Sequence, residues 1–123
     1  MDKKIILIVD DSADNIQLLS GVLKEKYKVK AATSGDRALK IAQKVPPPDF
    51  ILLDVVMPEM DGYEVCQQLK SNPQTMNIPV VFISGNVSDE EQQKGLDLGA
   101  GAYLGKPVDS GKLLSIIEQV LSS

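Results

Sequence analysis

Five polar residues of three chemical types follow the most apolar stretches of the chain, and together they could hold a cation and an oxyanion. They are Asp10, Asp11, Asp54, Ser84 and Lys106. Carboxylates that lie about 4 Å apart repel each other by roughly 4 kcal/mol at an effective dielectric near 20. A hard divalent cation such as Mg²⁺ relieves this repulsion and prefers oxygen ligands. A carboxylate beside such a cation can attack a phosphoryl group and become an acyl phosphate, with a lysine offsetting the negative charge.

Apolar runs with the length of buried strands come before these residues. Residues 5–9, 50–53 and 78–83 are almost wholly apolar, which is typical of strands covered on both faces of a sheet. Two shorter runs of mixed polarity, residues 27–32 and 102–104, predict edge strands. The acids, the serine and the lysine would therefore stand where strands give way to loops.

Apolar residues at helical spacing follow each predicted strand. The predicted helices run from Ala13 to about Glu25, from Ser34 to Val45, from Asp61 to Asn72, from Ser88 to about Leu98, and from Asp109 or Ser110 onward. Three consecutive prolines after Val45 end the second helix, because proline cannot continue a helix. The fourth helix is the weakest, since it is polar and contains Gly95, which costs about 1 kcal/mol relative to alanine.

This alternation of strand and helix predicts an α/β fold of the flavodoxin-like type, a (βα)5 three-layer sandwich. Right-handed crossovers with the most apolar strands in the centre favour a parallel five-stranded sheet of order 2-1-3-4-5. Ligands bind such sheets beyond the carboxyl ends of the strands, so the five polar residues should line one cleft. A length of 123 residues suits a single domain, which we expect to cover residues 1–123.

Composition excludes several classes of function. The chain has no histidine, which removes Ser-His-Asp catalysis, imidazole metal sites and a phosphohistidine carrier within this chain. A phosphoryl donor must therefore be another molecule. The single cysteine, Cys66, excludes an internal disulfide and a multi-cysteine zinc site. A net charge of −4 without a basic run argues against direct nucleic-acid binding.

The sequence does not predict a membrane protein or an exported one. No apolar stretch is long enough to span a bilayer. Residues 1–5 enter a strand-like run at once, without the long apolar segment and cleavage site of a signal peptide. We therefore expect a cytoplasmic location and no membrane partner.

Together, the polar motifs resemble those of a known family. The chain has the pair Asp10-Asp11, then Asp54 followed by Met57-Pro58-x-Met60-Asp61-Gly62, then Ser84-Gly85 and Lys106-Pro107. This set is similar to the receiver domain of two-component response regulators, the family that includes the chemotaxis regulators. The resemblance covers essentially the whole chain, in order and with the spacing of the family.

The resemblance implies a chemical role for each site residue. Asp54 would accept a phosphoryl group from the phosphohistidine of a sensor histidine kinase or a histidine phosphotransfer protein. Mg²⁺ would be held by Asp11, Asp54 and the main-chain carbonyl of Val56, with Asp10 acting through metal-bound water. Lys106 would contact the phosphoryl oxygens. Receivers catalyse only their own phosphorylation and dephosphorylation, so we do not expect an enzyme with an outside substrate.

The resemblance also implies a switch. Ser84 would move toward the phosphoryl group, and Tyr103 would turn inward with it, which changes the face formed by helix 4, strand 5 and helix 5. That face would also mediate any homodimer. Residues 14–19 and 31–35 are similar to receivers fused to cyclic-dinucleotide output enzymes, so an output domain beyond Ser123 is a further expectation.

Two other functions are compatible with this fold class. A Mg²⁺-dependent aspartyl-phosphate hydrolase would also use Asp54, but that class has a second acid two residues later, where this chain has Val56. A nucleotide or flavin binder is the other alternative, although no G-x-G-x-x-G follows the first strand. Turnover of an external phosphate ester would favour the hydrolase, and a bound chromophore would favour the flavin protein.

Overall fold

A parallel sheet is the centre of the computed structural model, which describes residues 3–122. Its strands are β1 (Ile5–Val9), β2 (Lys28–Ala32), β3 (Phe50–Asp54), β4 (Val80–Ser84) and β5 (Ala102–Gly105). They lie in the order β2-β1-β3-β4-β5, and every neighbouring pair is parallel. The predicted flavodoxin-like fold and strand order are confirmed. Two expectations concern residues outside the described range: that the chain starts without a signal peptide at Met1, and that an output domain follows Ser123.

A helix follows each strand, and each begins at a capping side chain. The helices are α1 (Ala13–Leu23), α2 (Gly35–Ala42), α3 (Gly62–Ser71), α4 (Asp89–Asp97) and α5 (Ser110–Leu121). The side chains of Ser12, Ser34, Asp61, Ser88 and Asp109 accept hydrogen bonds from main-chain N–H groups of the first turns. These bonds satisfy donors that have no partner within the helix, which fixes where each helix starts.

Two apolar cores cover the two faces of the sheet. On one face, α1 and α5 pack against the strands through residues such as Leu23 and Ile117. On the other face, α2 and α3 contribute Ala38 and Val65, among others, and Leu98 at the end of α4 packs partly against them. All residues of β1, β3 and β4 are buried, whereas the edge strands β2 and β5 are only partly covered. This difference explains why the central strands are the most apolar.

Three predicted boundaries were wrong by two or three residues. Helix α2 ends at Ala42, and Val45 lies in the following turn with 94% of its surface exposed, so it is not on the inner face. Strand β4 begins at Val80 because Pro79 has no N–H for the sheet and Ile78 closes a turn by donating to the Thr75 carbonyl. Helix α1 ends at Leu23 rather than near Glu25.

The helices are too short to cross a bilayer. Within residues 3–122, no helix combines the required length with the required apolar character.

Candidate functional site

Two buried carboxylates lie side by side at the carboxyl edge of the sheet. Asp10 directly follows β1 and is 2% exposed, and Asp54 is the last residue of β3 and is 4% exposed. The parallel pairing of β1 with β3 brings these strand ends together. The Asp10 carboxylate accepts hydrogen bonds from the Ser12 N–H at 2.9 Å and from Asn15 Nδ2 at 3.4 Å. These two donors orient Asp10, so its position is set by the first turn of α1.

Lys106 joins the two carboxylates from the end of β5. Its Nζ lies 3.2 Å from Asp54 Oδ1 and 3.5 Å from Asp10 Oδ2. The Lys106 main-chain N–H donates to the Ser84 carbonyl at 2.9 Å, which holds this residue against β4. Its side chain is 30% exposed, so the ammonium group faces solvent as well as the acids. The Lys106 ammonium group can therefore also contact a negatively charged group that binds at Asp54.

A third acid completes a group that fits a cation. Carboxylate oxygens of Asp10, Asp11 and Asp54 lie within 4.8 Å of one another, and Asp11 is exposed. An all-oxygen set of this kind suits a hard divalent ion, which can keep part of its water shell on the exposed side. Val56, whose main-chain carbonyl was expected to be a further ligand, lies in the loop two residues after Asp54.

The buried, acidic surroundings of Asp54 raise its pKa. Burial is the largest cause and repulsion from Asp10 comes next, while Lys106 acts in the opposite direction. For Lys106, burial favours loss of the proton, but Asp54 and Asp10 outweigh it and raise the pKa of the ammonium group. The carboxylates thus keep Lys106 charged, while burial and the neighbouring Asp10 both disfavour the ionised form of Asp54. A cation bound by these acids would offset both effects, which is the physical reason to expect one here.

The loop after Asp54 returns close to the strand it leaves. The Gly62 N–H donates to the Val55 carbonyl at 2.8 Å, and the Val55 N–H donates to the Ile83 carbonyl at 3.2 Å. A Cβ atom at Gly62 would overlap the Asp54 carbonyl oxygen and would lie 2.9 Å from Val55 Cα. Glycine at this position therefore allows α3 to begin against the residue that carries the candidate nucleophile.

We expect Gly62→Ala to lower the free energy of unfolding by about 1–3 kcal/mol, because the new methyl group must displace main-chain atoms of β3. Urea denaturation measures this loss. The matched control is Gly21→Ala in α1, where a Cβ atom would have no neighbour within 4 Å. That change should be neutral or stabilising by up to about 1 kcal/mol. Equal stabilities for the two variants would contradict the close approach at Gly62.

Ser84 and Tyr103 are connected through the main chain of one residue, Asn86. Ser84 ends β4 and is buried, and its Oγ accepts a hydrogen bond from the Asn86 N–H at 3.1 Å. The Tyr103 hydroxyl donates to the Asn86 carbonyl at 2.8 Å. The Tyr103 ring is half-buried against Phe82, with ring centroids 6.0 Å apart. Tyr103 thus points inward, and both side chains hold the same loop residue.

All five polar residues that the sequence predicted to line one cleft lie at the same edge of the sheet: Asp10, Asp11, Asp54, Ser84 and Lys106. Reasoning from sequence did not identify the partners of Asp10, which are Ser12 and Asn15. It also did not identify Tyr63, whose hydroxyl lies 3.4 Å from that of Tyr103. The only sequence signal for Tyr63 was its place in the first turn of a helix next to the glycine of the motif.

The comparisons with known proteins all indicate the same family. Residues 6–118 match the response regulator receiver domain. A probable cyclic di-GMP phosphodiesterase from Vibrio cholerae is 49% identical over 118 residues, which are 96% of this chain and 26% of that protein. Response regulator PleD from Caulobacter vibrioides is 42% identical over 116 residues, 94% of this chain and 25% of that protein. The chain therefore spans about a quarter of the length of these two relatives.

A solved structure agrees with the fold. The chemotaxis protein CheY4 of Vibrio cholerae superposes with a TM-score of 0.89 at 34% identity, and the match covers 96% of this chain and 98% of that one. The family model spans the edge of the sheet where the acids and the lysine meet, as well as α4 and β5. With its fold and nearly its whole length matched, the chain belongs to the receiver domains of two-component response regulators, which serve as phosphoryl acceptors.

Proposed function

We propose that Asp54 is the residue that takes the phosphoryl group, from a phosphohistidine on a sensor histidine kinase or a histidine phosphotransfer protein. The observation that carries this proposal is the contact of Lys106 with both buried carboxylates, 3.2 Å from Asp54 and 3.5 Å from Asp10. The absence of histidine from the chain supports an external donor. The phosphoryl group of such a donor derives ultimately from ATP, so we place the exchange in the cytoplasm.

The transfer is a displacement at phosphorus. An Asp54 carboxylate oxygen forms a bond to phosphorus while the bond between phosphorus and the donor imidazole nitrogen breaks, and the electron pair stays on that nitrogen. Lys106 is near enough to Asp54 Oδ1 to pair with an oxygen of the transferred group. Hydrolysis later breaks the bond between phosphorus and the Asp54 oxygen when a water oxygen attacks phosphorus, which releases inorganic phosphate and returns the carboxylate. Apart from the phosphoryl donor and water, neither step needs an outside substrate.

The acidic cluster fits Mg²⁺ in this proposal. Asp11, Asp54 and the Val56 carbonyl would hold the ion directly, and Asp10 would do so through water. When bound, Mg²⁺ supplies positive charge that offsets the phosphoryl oxygens and the repulsion among the carboxylates. The chain's own contribution is to fix Asp10 through Ser12 and Asn15 and to keep Asp54 at the end of a rigid strand.

We expect Asp54→Asn to stabilise the metal-free protein at neutral pH, by on the order of 1 kcal/mol of unfolding free energy. Because the folded-state pKa of Asp54 is raised, the ionised carboxyl opposes folding. Stability is fully present below the ordinary pKa near pH 4 and is lost as the pH rises through the folded-state value. Thermal unfolding in EDTA should show the variant melting above wild type at neutral pH, with the difference shrinking toward about pH 4.

Mg²⁺ supplies the control for this prediction. Adding Mg²⁺ at neutral pH should raise the melting temperature of the wild-type protein, because the folded state binds the ion and the unfolded state does not. The same addition should have a much smaller effect on Asp54→Asn. Two outcomes would contradict the proposed metal site. One is that metal-free Asp54→Asn melts below the wild-type protein at neutral pH; the other is that Mg²⁺ raises the melting temperature of the variant as much as that of the wild type.

Phosphorylation would then act on the face formed by α4, β5 and α5. Ser84 moves toward the phosphoryl group in this proposal, and the loop at Asn86 passes the change to Tyr103. Two exposed apolar side chains on this face, Val87 and Leu96, support its use as a surface for a homodimer. The greater length of the curated relatives supports an output domain beyond Ser123, and the 49% identical relative supports cyclic-dinucleotide chemistry for that domain.

Radiolabelled acetyl phosphate tests the proposal without a partner protein. Label should enter the wild-type protein in the presence of Mg²⁺ and not in EDTA, and it should be lost again by hydrolysis. An assay with p-nitrophenyl phosphate separates this function from the hydrolase. Sustained multiple turnovers of that ester would show an enzyme with an outside substrate, whereas a receiver releases little product. Absence of labelling with Mg²⁺ would overturn the proposal.

A further inference from the structure

Tyr63, in the first turn of α3, places its hydroxyl between α4 and β5. Its buried ring packs edge-on against Phe82, with ring centroids 5.2 Å apart and an interplanar angle of 66°. The hydroxyl oxygen lies 2.6 Å from Glu91 Oε2, 3.1 Å from the Glu91 carbonyl and 3.4 Å from the Tyr103 hydroxyl. The proposed phosphotransfer chemistry makes no use of this side chain. Its contacts are instead with the helix and the tyrosine of the proposed switch.

The protons of the two tyrosines can be assigned to acceptors. Each hydroxyl has one proton, and the short contact from Tyr63 to the Glu91 carboxylate is a charge-assisted hydrogen bond, the strongest that this phenol makes. Tyr103 donates to the Asn86 carbonyl at 2.8 Å. The Tyr63 oxygen then has lone pairs left, 3.4 Å from the Tyr103 hydroxyl. With both protons used in this way, the 3.4 Å approach of the two hydroxyl oxygens is not a further hydrogen bond of Tyr103. Tyr63 acts on Tyr103 through α4, because a Cβ atom at Gly95 would lie 3.1 Å from the Tyr103 ring.

The same side chain anchors α4. Glu91, Lys94 and Gly95 lie on one face of this helix, and Gly95 is the helix's only buried residue. Glu91 bonds to the Tyr63 hydroxyl, and Lys94 Nζ lies 4.6 Å from the centroid of the Tyr63 ring, within the range of a cation–π contact. A Cβ atom at Gly95 would lie 2.9 Å from the Phe82 ring, so α4 sits close over the aromatic cluster. The contacts of Glu91 and Lys94 thus both depend on Tyr63.

We propose that Tyr63 is a positioning residue of the switch, whose hydroxyl fixes α4 through Glu91 and so holds this helix against the ring of the inward Tyr103. The inward Tyr103 holds the Asn86 carbonyl, and the Asn86 N–H in turn donates to Ser84 Oγ. Tyr63 therefore affects the fraction of molecules in which the hydrogen bonds from Tyr103 to Asn86 and from Asn86 to Ser84 are both formed. The inference rests on the proposed switch roles of Ser84 and Tyr103. Burial, followed by the bond to Glu91, raises the pKa of Tyr63, which keeps its hydroxyl protonated as a donor.

The variant Tyr63→Phe tests this role by removing one oxygen atom while keeping the ring against Phe82. The protein carries fluorotyrosine at its three tyrosines and is studied by fluorine NMR without phosphodonor or metal. Single Tyr→Phe variants assign the three resonances. In Tyr63→Phe, the ratio of inward to outward Tyr103 should fall about threefold to tenfold, as expected when the one hydrogen bond that fixes α4 through Glu91 is lost. The Tyr103 resonance should then move toward its position in urea.

Tyr27→Phe is the matched control, because Tyr27 lies just before β2 at the opposite end of the sheet. It should leave the Tyr103 resonance in place. The melting temperatures of both variants are measured alongside, because a purely stabilising role of Tyr63 predicts a lower melting temperature with no movement of the Tyr103 resonance. If the Tyr103 resonance of Tyr63→Phe does not move, the proposal is overturned, whatever the melting temperature. The experiment involves no phosphoryl transfer, so its outcome is independent of whether Asp54 is the acceptor, which labelling tests separately.

Discussion

Asp54→Asn should reduce Mg²⁺-dependent labelling by acetyl phosphate by at least about 100-fold, because the amide has no anionic oxygen to attack phosphorus. The substitution keeps the size of the side chain and leaves Asp10 and Asp11 in place. Asp54 is 4% exposed at the end of a central strand, and the asparagine takes its place there. Incorporation of radiolabel after a fixed time, with Mg²⁺ in excess, measures the effect.

The control for this substitution is Asp36→Asn. Asp36 is an exposed acid in the first turn of α2 and is not a member of the acidic cluster, and Asp36→Asn makes the same change of charge. It should label as fast as the wild-type protein. Labelling of Asp54→Asn at more than about a tenth of the wild-type rate would mean that another residue accepts the phosphoryl group, and would contradict the proposed chemistry.

Lys106→Met should slow labelling of Asp54 by roughly 100-fold, the size of effect seen when one charge-stabilising donor is removed from a reaction centre. The ammonium group is 3.2 Å from Asp54 Oδ1, and the aliphatic part of methionine fills similar space without the charge. Loss of this charge also removes the attraction that lowers the pKa of Asp54, so the nucleophile is protonated to a larger extent. Initial rates of labelling at saturating Mg²⁺ measure the combined effect.

Lys112→Met is the comparison for this variant. Lys112 is an exposed lysine in the first turn of α5, and its side chain has no ion pair with the described acids of the site. The two substitutions change the net charge equally, so a general electrostatic effect would slow both. A specific role of Lys106 predicts that only its own substitution matters. Equal rates for the two variants would remove Lys106 from the proposed mechanism.

The sequence was sufficient for the strand order and for the meeting of the polar residues because both follow from one physical rule. Strands covered on both faces must be apolar throughout, which identified β1, β3 and β4 as central. Parallel strands end at the same edge, which brought Asp10, Asp54 and Ser84 together. The predicted boundaries were wrong where a local hydrogen bond ends an element before its apolar pattern does. Val45 has the right spacing for an inner face, but the helix has already ended in a hydrogen-bonded turn.

The contacts that tune the site could not be predicted, because they join residues that are distant in the sequence. Gly95 was interpreted only as a weakness of α4, whereas it is the place where this helix approaches Phe82. The bond from Tyr63 to Glu91 spans 28 positions, and nothing in the type of either residue indicates its partner. The close approach of Gly62 to Asp54 likewise depends on the path of the loop between them. Tertiary packing, rather than local preference, determines these features.

Chemical trapping of the phosphorylated residue tests the central claim most directly. The wild-type protein is labelled with acetyl phosphate and Mg²⁺, reduced with borohydride, which converts an aspartyl phosphate into homoserine, and digested for mass spectrometry. The account predicts homoserine at position 54, and none in a sample treated with EDTA. Homoserine at Asp10 or Asp11, or stable phosphate on Ser84 with Asp54 unmodified, would contradict it.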